Sequence, residues 1–179
     1  MVKHMLRIVF APNDFNMTVT GVEVPRVGAE PETLQAEFGF FLEDEKAMKV
    51  NSDVKGAGGV RCCAFECMNV VGARTFPPAG SCFVRHDEPD RSKWVPHTKE
   101  TFLETLAAID EAKGDPDELH EVEIATGIKY NPHSLLWDDY LREVVRAPHN
   151  YFWDGMHCLY SSGGFAQYQL NAYVLELRQ

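Results

Sequence analysis

The stretch "TKETFLETLAAIDEAKGDPDELHEVEIATG", from Thr98 to Gly127, leaves the chain the least conformational choice. Phe102, Leu103, Leu106 and Ile109 recur at helical spacing and predict one apolar helix face. Thr98 is an N-cap residue and Gly114 a stop. Asp115-Pro116 then caps a second helix, with proline at its first position, and this helix runs to Gly127. Asn131-Pro132 opens a third segment, "HSLLWDDYLREVV", which Pro148 closes. Beyond it, "HNYFWDGMH" reads as a buried strand or extended segment. Gly163-Gly164 breaks the chain, and "FAQYQLNAYVLEL" carries Phe165, Tyr168, Ala172 and Leu175 on one face of a final helix.

The first half reads differently. "LRIVF" and "MTVTGVEV" are rich in β-branched residues and are punctuated by Pro12, Asn13 and Asp14, so the first 30 residues read as strands. "TLQAEFGFFL" is an apolar run that fits a buried strand or a short helix. "KGAGG" and "FPPAGS" are a loop and a turn on either side of a cysteine cluster. The expectation is a mixed α/β protein with its helices in the second half. With 179 residues it is a single domain: a β-rich part over 1–60, a Cys/His-containing loop region over 61–97, a helical part over 98–147, and a strand plus terminal helix over 148–179.

No apolar run approaches the roughly 18 residues of a membrane helix. Lys3 and Arg7 flank an apolar core too short for a signal peptide, so an intracellular protein without a membrane partner is expected. The formal charge is -10, and no basic cluster offsets it. Such a surface repels nucleic-acid phosphates, so any DNA-binding surface is expected elsewhere.

Five cysteines are present, Cys62, Cys63, Cys67, Cys82 and Cys158. An odd number without a secretion signal argues against a disulfide framework. Cys63 and Cys67 are separated by three residues, inside the spacing that zinc pairs use, with Cys62 as an alternative partner. Cys82, His86 and His97 could complete a structural zinc site; otherwise Cys62 or Cys63 is a small buried hydrophobe. Asp44 ends the run "FGFFLED", where a carboxylate at a strand end can hold Mg²⁺ or Mn²⁺. Glu43, Glu45 and Lys46 around it fit a solvated strand end better, on the residues alone. Asp154 and His157 are either a metal-ligand or acid–base pair, or a core histidine bonded to a local carboxylate; Gly155 allows a kink between them. A cysteine hydrolase, with Cys82 or Cys158 as nucleophile and His157 or His86 as base, is the weakest reading, because His157 and Cys158 on a strand point apart.

The run "EDEKAMKVNSDVKGAGGVRCCAFECMNVV", followed by "NPHSLLWD" and by Asp154-Gly155-Met156-His157, resembles CACTA (En/Spm-like) transposases over residues 36 to about 164. In that family a strand ends in an acidic residue, and a glycine loop, a cysteine pair and an Asn-Pro-x-x-Leu-Leu segment lead to a strand ending D-x-M-H. The resemblance implies a partial RNase H-like mixed sheet, metal-dependent DNA cleavage and strand transfer, and a nuclear location. It casts Asp44 as the second catalytic acid and Asp154 and His157 as the D-x-x-H signature. This chain departs from the pattern in three places. Cys63 to Cys67 is one residue longer than C-x-x-C, Asp14 precedes Asp44 by too little to be the first acid, and Glu176 is a poor substitute for the last. The expectation is therefore an internal, catalytically incomplete piece that meets DNA through regions outside this chain, with homo-oligomers allowed. The alternative is a zinc-stabilised structural or interaction module without catalysis.

Overall fold

The computed structural model describes residues 2–12, 16–43, 45–72, 74–145 and 148–153, together with Gln169 and Tyr173. In chain order the elements are α1 (Val2–Phe10), β1 (Val22–Val24), β2 (Glu32–Leu34), β3 (Phe41–Glu43), α2 (Glu45–Ser52), β4 (Val70–Val71), β5 (Val84–Arg85), α3 (Lys99–Ala112), α4 (Pro116–Thr126), α5 (Leu141–Val145) and β6 (Tyr151–Trp153). The architecture is mixed α/β, as expected. The described strands form three two-stranded sheets: β1–β2 is antiparallel, while β3–β6 and β4–β5 are parallel. Among the described residues no helix is long and apolar enough to cross a membrane.

The capped pair α3–α4 forms as its sequence requires. Thr98 Oγ1 accepts from the Thr101 N–H at 3.3 Å, and Thr101 Oγ1 accepts from the Thr98 N–H at 2.9 Å. These two bonds satisfy donors that the first turn leaves without intrahelical partners. Phe102, Leu106, Ile109 and Ala112 are the buried face of α3. Asp115 accepts from the N–H groups of Asp117 and Glu118 at the start of α4. Gly127, at φ +78°, ends α4 in the left-handed region. A Cβ there would lie 2.6 Å from the Arg61 carbonyl oxygen, so the position needs glycine for both its dihedral and its space.

The core gathers around α3: Ile128, Leu135, Leu136 and Val145 close it from the C-terminal side, and Phe65 from the cysteine segment. Phe65 stacks on Tyr151 with centroids 4.4 Å apart and lies 5.3 Å from Phe102, so it joins α3 to β6. Burying each such side chain contributes about 1.5–3 kcal/mol. The segment read as a Cys/His loop insertion is thus partly core: Ala64, Phe65 and Cys67 are all buried.

The N-terminal reading needs correction. "LRIVF" lies in helix α1, not in a strand. The i, i+4 spacing of Lys3 and Arg7 puts both on one helix face. There Arg7 Nε donates to Asp138 Oδ2 at 2.6 Å, and Lys3 Nζ lies 3.5 Å from the same oxygen. Leu6 packs against the core. A tertiary carboxylate thus favours the helical period over the β-branched bias of five residues. Of "MTVTGVEV" only Val22–Val24 is strand, and of "TLQAEFGFFL" only Thr33 and Leu34 in β2, with Phe41 and Leu42 in β3. Among its described residues the part over 1–60 is therefore more helical than β, with α1 and α2 longer than its three short strands. In the final stretch Gln169 and Tyr173 are helical, and the rest of that expected helix lies outside the described residues.

Candidate functional site

The β3–β6 pair is the first candidate. Phe41, Leu42 and Glu43 are the register partners of Tyr151, Phe152 and Trp153, in parallel. Strand alternation sorts their side chains. Phe41 and Tyr151 meet on the inner side, with ring centroids 5.1 Å apart. Leu42 and Phe152 face outward, and Phe40 meets Phe152 edge-on at 5.4 Å. Glu43 turns inward and is 7% exposed. Asn51 Nδ2, from the end of α2, donates to Glu43 Oε1 at 2.6 Å. The next residue, Ser52, donates from Oγ to the Tyr151 hydroxyl at 2.8 Å. Burial, and then the Glu43 charge, push the Tyr151 hydroxyl well above the usual tyrosine range.

Asp44, Asp154 and His157 lie outside the described residues, as do Asp14, Cys158 and Glu176. The strand ends that precede Asp44 and Asp154 in sequence, Glu43 and Trp153, are register partners. A solvated strand end would leave Glu43 exposed, whereas it is buried against Asn51. The period-2 step from Phe41 to Glu43, with Leu42 outside, was the available signal for this. Ser52 and Tyr151 carried no comparable signal, since a hydroxyl pair formed across 99 residues leaves no local pattern.

The second candidate is the cysteine segment. The Cys67 N–H donates to the Cys63 carbonyl at 3.2 Å, closing a turn. The Cys63 thiol donates to Glu66 Oε2 at 3.6 Å, and the Cys63 and Cys67 thiols lie near enough to perturb each other's ionisation. Arg61 is 8% exposed. It donates through its terminal nitrogens to the carbonyls of Cys67 at 3.0 Å and Ala125 at 3.4 Å. Its Nε has no hydrogen-bond partner among the described residues. Cys63, Cys62, Cys67 and Cys82 all lie within electrostatic reach of its guanidinium, and burial lowers its pKa from the usual arginine value. Burial also pushes the thiols of Cys62, Cys63 and Cys67 upward, so they rest protonated.

Cys82 and His86 sit beside β5. The Cys82 carbonyl accepts from Asn69 Nδ2 at 2.8 Å, and the His86 N–H donates to the Val71 carbonyl at 2.9 Å. Asn69 also binds the Lys93 carbonyl at 2.9 Å and the Val95 N–H at 2.8 Å. It thereby ties the residue before β4 to the segments at Cys82 and at Lys93–Val95. His97 is buried, with Nδ1 3.2 Å from Thr101 Oγ1 and its ring edge-on to Phe102. Burial, helped by the Arg61 charge, pulls its imidazole down to about 4, so the ring is neutral at pH 7.

The structure thus brings Cys63 and Cys67 together and holds Cys82, His86 and His97 in separate hydrogen-bonded settings. Among the described residues no three His, Cys, Asp or Glu side chains gather into a set able to hold a metal ion. A structural zinc ion needs four converging ligands. The chain matches no family model, no curated protein and no solved structure.

Proposed function

We propose that the chain is a transposase-derived, RNase H-like piece related to metal-dependent DNA cleavage. Its carboxylates, Asp44 and Asp154, follow two adjacent strand ends. One observation carries the reading: β3 and β6 run parallel in the register Glu43–Trp153, and in the sequence each strand end is followed by an aspartate. Parallel neighbours deliver their carboxyl ends to the same edge, which is where open α/β sheets place ligand-binding groups. In this reading Asp44 and Asp154 would hold Mg²⁺ or Mn²⁺, which when bound supplies charge stabilisation to a phosphodiester under attack. His157 would orient or relay a proton beside Asp154. The buried Glu43–Asn51 and Ser52–Tyr151 bonds keep the two strand ends in register. With an incomplete set of acids, the chain by itself binds the ion and does not cut.

The test is Mn²⁺ binding by calorimetry and by the loss of free-ion paramagnetic signal, with a supercoiled-plasmid nicking assay on the same sample. One weakly bound Mn²⁺ per chain is expected. Its affinity should fall about tenfold or more, about 1.4 kcal/mol, in both Asp44→Asn and Asp154→Asn. Equal affinity in wild type and both variants would remove the reading.

A second reading, a cysteine-centred structural or interaction module without catalysis, draws support from the outer face of β3–β6. Phe40, Leu42 and Phe152 are 58%, 59% and 52% exposed there. A second copy of this chain is the occupant to test first, by sedimentation of wild type against Phe152→Asp. Zinc added to metal-free protein would raise the melting temperature only if the cysteines complete a site.

A further inference from the structure

We propose that Cys63 and Cys67 form a reversible thiol–disulfide site that small-molecule disulfides oxidise, with Arg61 as the group that stabilises the anionic sulfur. The turn closed by the Cys67 N–H and the Cys63 carbonyl at 3.2 Å puts the two side chains on one face, near enough for each thiol to perturb the other's ionisation. Cys63 is half-buried and Cys67 buried, so an incoming reagent meets Cys63 first and Cys67 waits behind it. Glu66 Oε2, 3.6 Å from the Cys63 sulfur, is placed to take its proton. Arg61 is more than nine-tenths buried, leaves Nε without a partner among the described residues, and donates to the carbonyl of Cys67. A buried cation without a counter-ion is costly. None of the ion pairs among the described residues involves Arg61, and the groups within its reach that can become anionic are cysteine sulfurs.

The chemistry balances with a disulfide such as oxidised glutathione as oxidant. The Cys63 sulfur attacks one glutathione sulfur as its proton passes to Glu66; a mixed S–S bond forms and the glutathione S–S bond breaks. The departing glutathione thiolate takes that proton. The Cys67 sulfur, beside Arg61, then attacks the Cys63 sulfur. The Cys63–Cys67 bond forms, the mixed bond breaks, and the second glutathione leaves with the Cys67 proton. Two thiols lose two electrons, and one disulfide is reduced to two thiols. Because the resting thiols are protonated, the site equilibrates slowly with its surroundings.

The experiment equilibrates the full chain in glutathione buffers from fully reduced to fully oxidised, traps free thiols with iodoacetamide, and maps peptides by mass spectrometry without reduction. The expected result is one intramolecular Cys63–Cys67 link, while the more exposed Cys82 carries only a glutathione adduct. Cys67→Ser should leave Cys63 as a stable mixed disulfide. Arg61→Gln should slow formation of the link by about tenfold, with Arg61→Lys close to wild type. If Arg61→Gln does not fold, the wild-type map still decides. A link that uses Cys62 or Cys82 would overturn the proposal, as would Cys63 and Cys67 both remaining alkylated where Cys82 is fully glutathionylated.

Discussion

Arg7 and Asp138 are 131 residues apart in sequence, and their contact decides where α1 sits. Burial opposes ionisation of Asp138, but the Arg7 hydrogen bond, the Leu141 N–H and the charges of Arg7 and Lys3 outweigh it and hold the carboxyl below the usual range. Asp138 Oδ1 also accepts from the N–H groups of Tyr140 and Leu141 at the start of α5. Asp138→Ala should cost about 1 kcal/mol from the lost cap alone, and more once α1 loosens. The depressed carboxyl sets the sign of its acid response. Its stabilisation is present above the ordinary aspartate value near 3.9 and is lost as pH falls through the lower folded value. His97 acts in a different window. An unfolded histidine takes a proton near 6.5, whereas the folded one does so only at about 4. Between these values the unfolded chain binds more protons, so stability rises with pH and is lost as pH falls, by at most about 1.4 kcal/mol per unit. Urea unfolding from pH 7 to pH 4 measures that slope, and His97→Gln should flatten it. An unchanged slope in His97→Gln would mean that another group titrates there.

At the scale of elements, the ends of α3 and α4 are the most exacting positions. Thr98→Ala and Asp115→Ala should each cost about 1 kcal/mol, since each side chain accepts from N–H groups of the first helical turn. Gly127→Ala should cost more, about 2 kcal/mol, from backbone strain and the Arg61 carbonyl together. Thermal unfolding of the three variants would rank them, and a Gly127→Ala loss smaller than that of Thr98→Ala would contradict the clash. These caps were legible in the sequence because a cap is local: the residue, the proline after it and the apolar period lie within a few positions. The strand at "YFW" was legible for the same reason. What joins elements was not. Nothing in "LRIVF" announces a carboxylate far along the chain, and nothing in the Asn69 neighbourhood announces three backbone partners. The resemblance drew attention to Asp44 and Asp154. That β3 and β6 are neighbours is a long-range pairing that no periodicity within either strand encodes.

Across the whole molecule, a formal charge of -10 acts against both compactness and contact with nucleic acid. Raising salt from about 0.02 to 0.2 M should therefore raise the melting temperature, because screening relieves the self-repulsion. Fluorescence anisotropy with a labelled duplex at about 0.15 M salt should show no binding below micromolar protein. Tight binding would mean that basic groups are segregated on one face after all. The β3–β6 pair also has a consequence for how the molecule is made. Phe41 and Tyr151 stand about 110 residues apart in the chain. At ribosomal rates of about 5–20 residues per second, β3 emerges roughly 5–20 s before its partner strand exists. During that interval a run of phenylalanines and a bare strand edge are open to any passing chain, so yield on expression should depend on chaperone supply more than the stability of the finished protein would suggest.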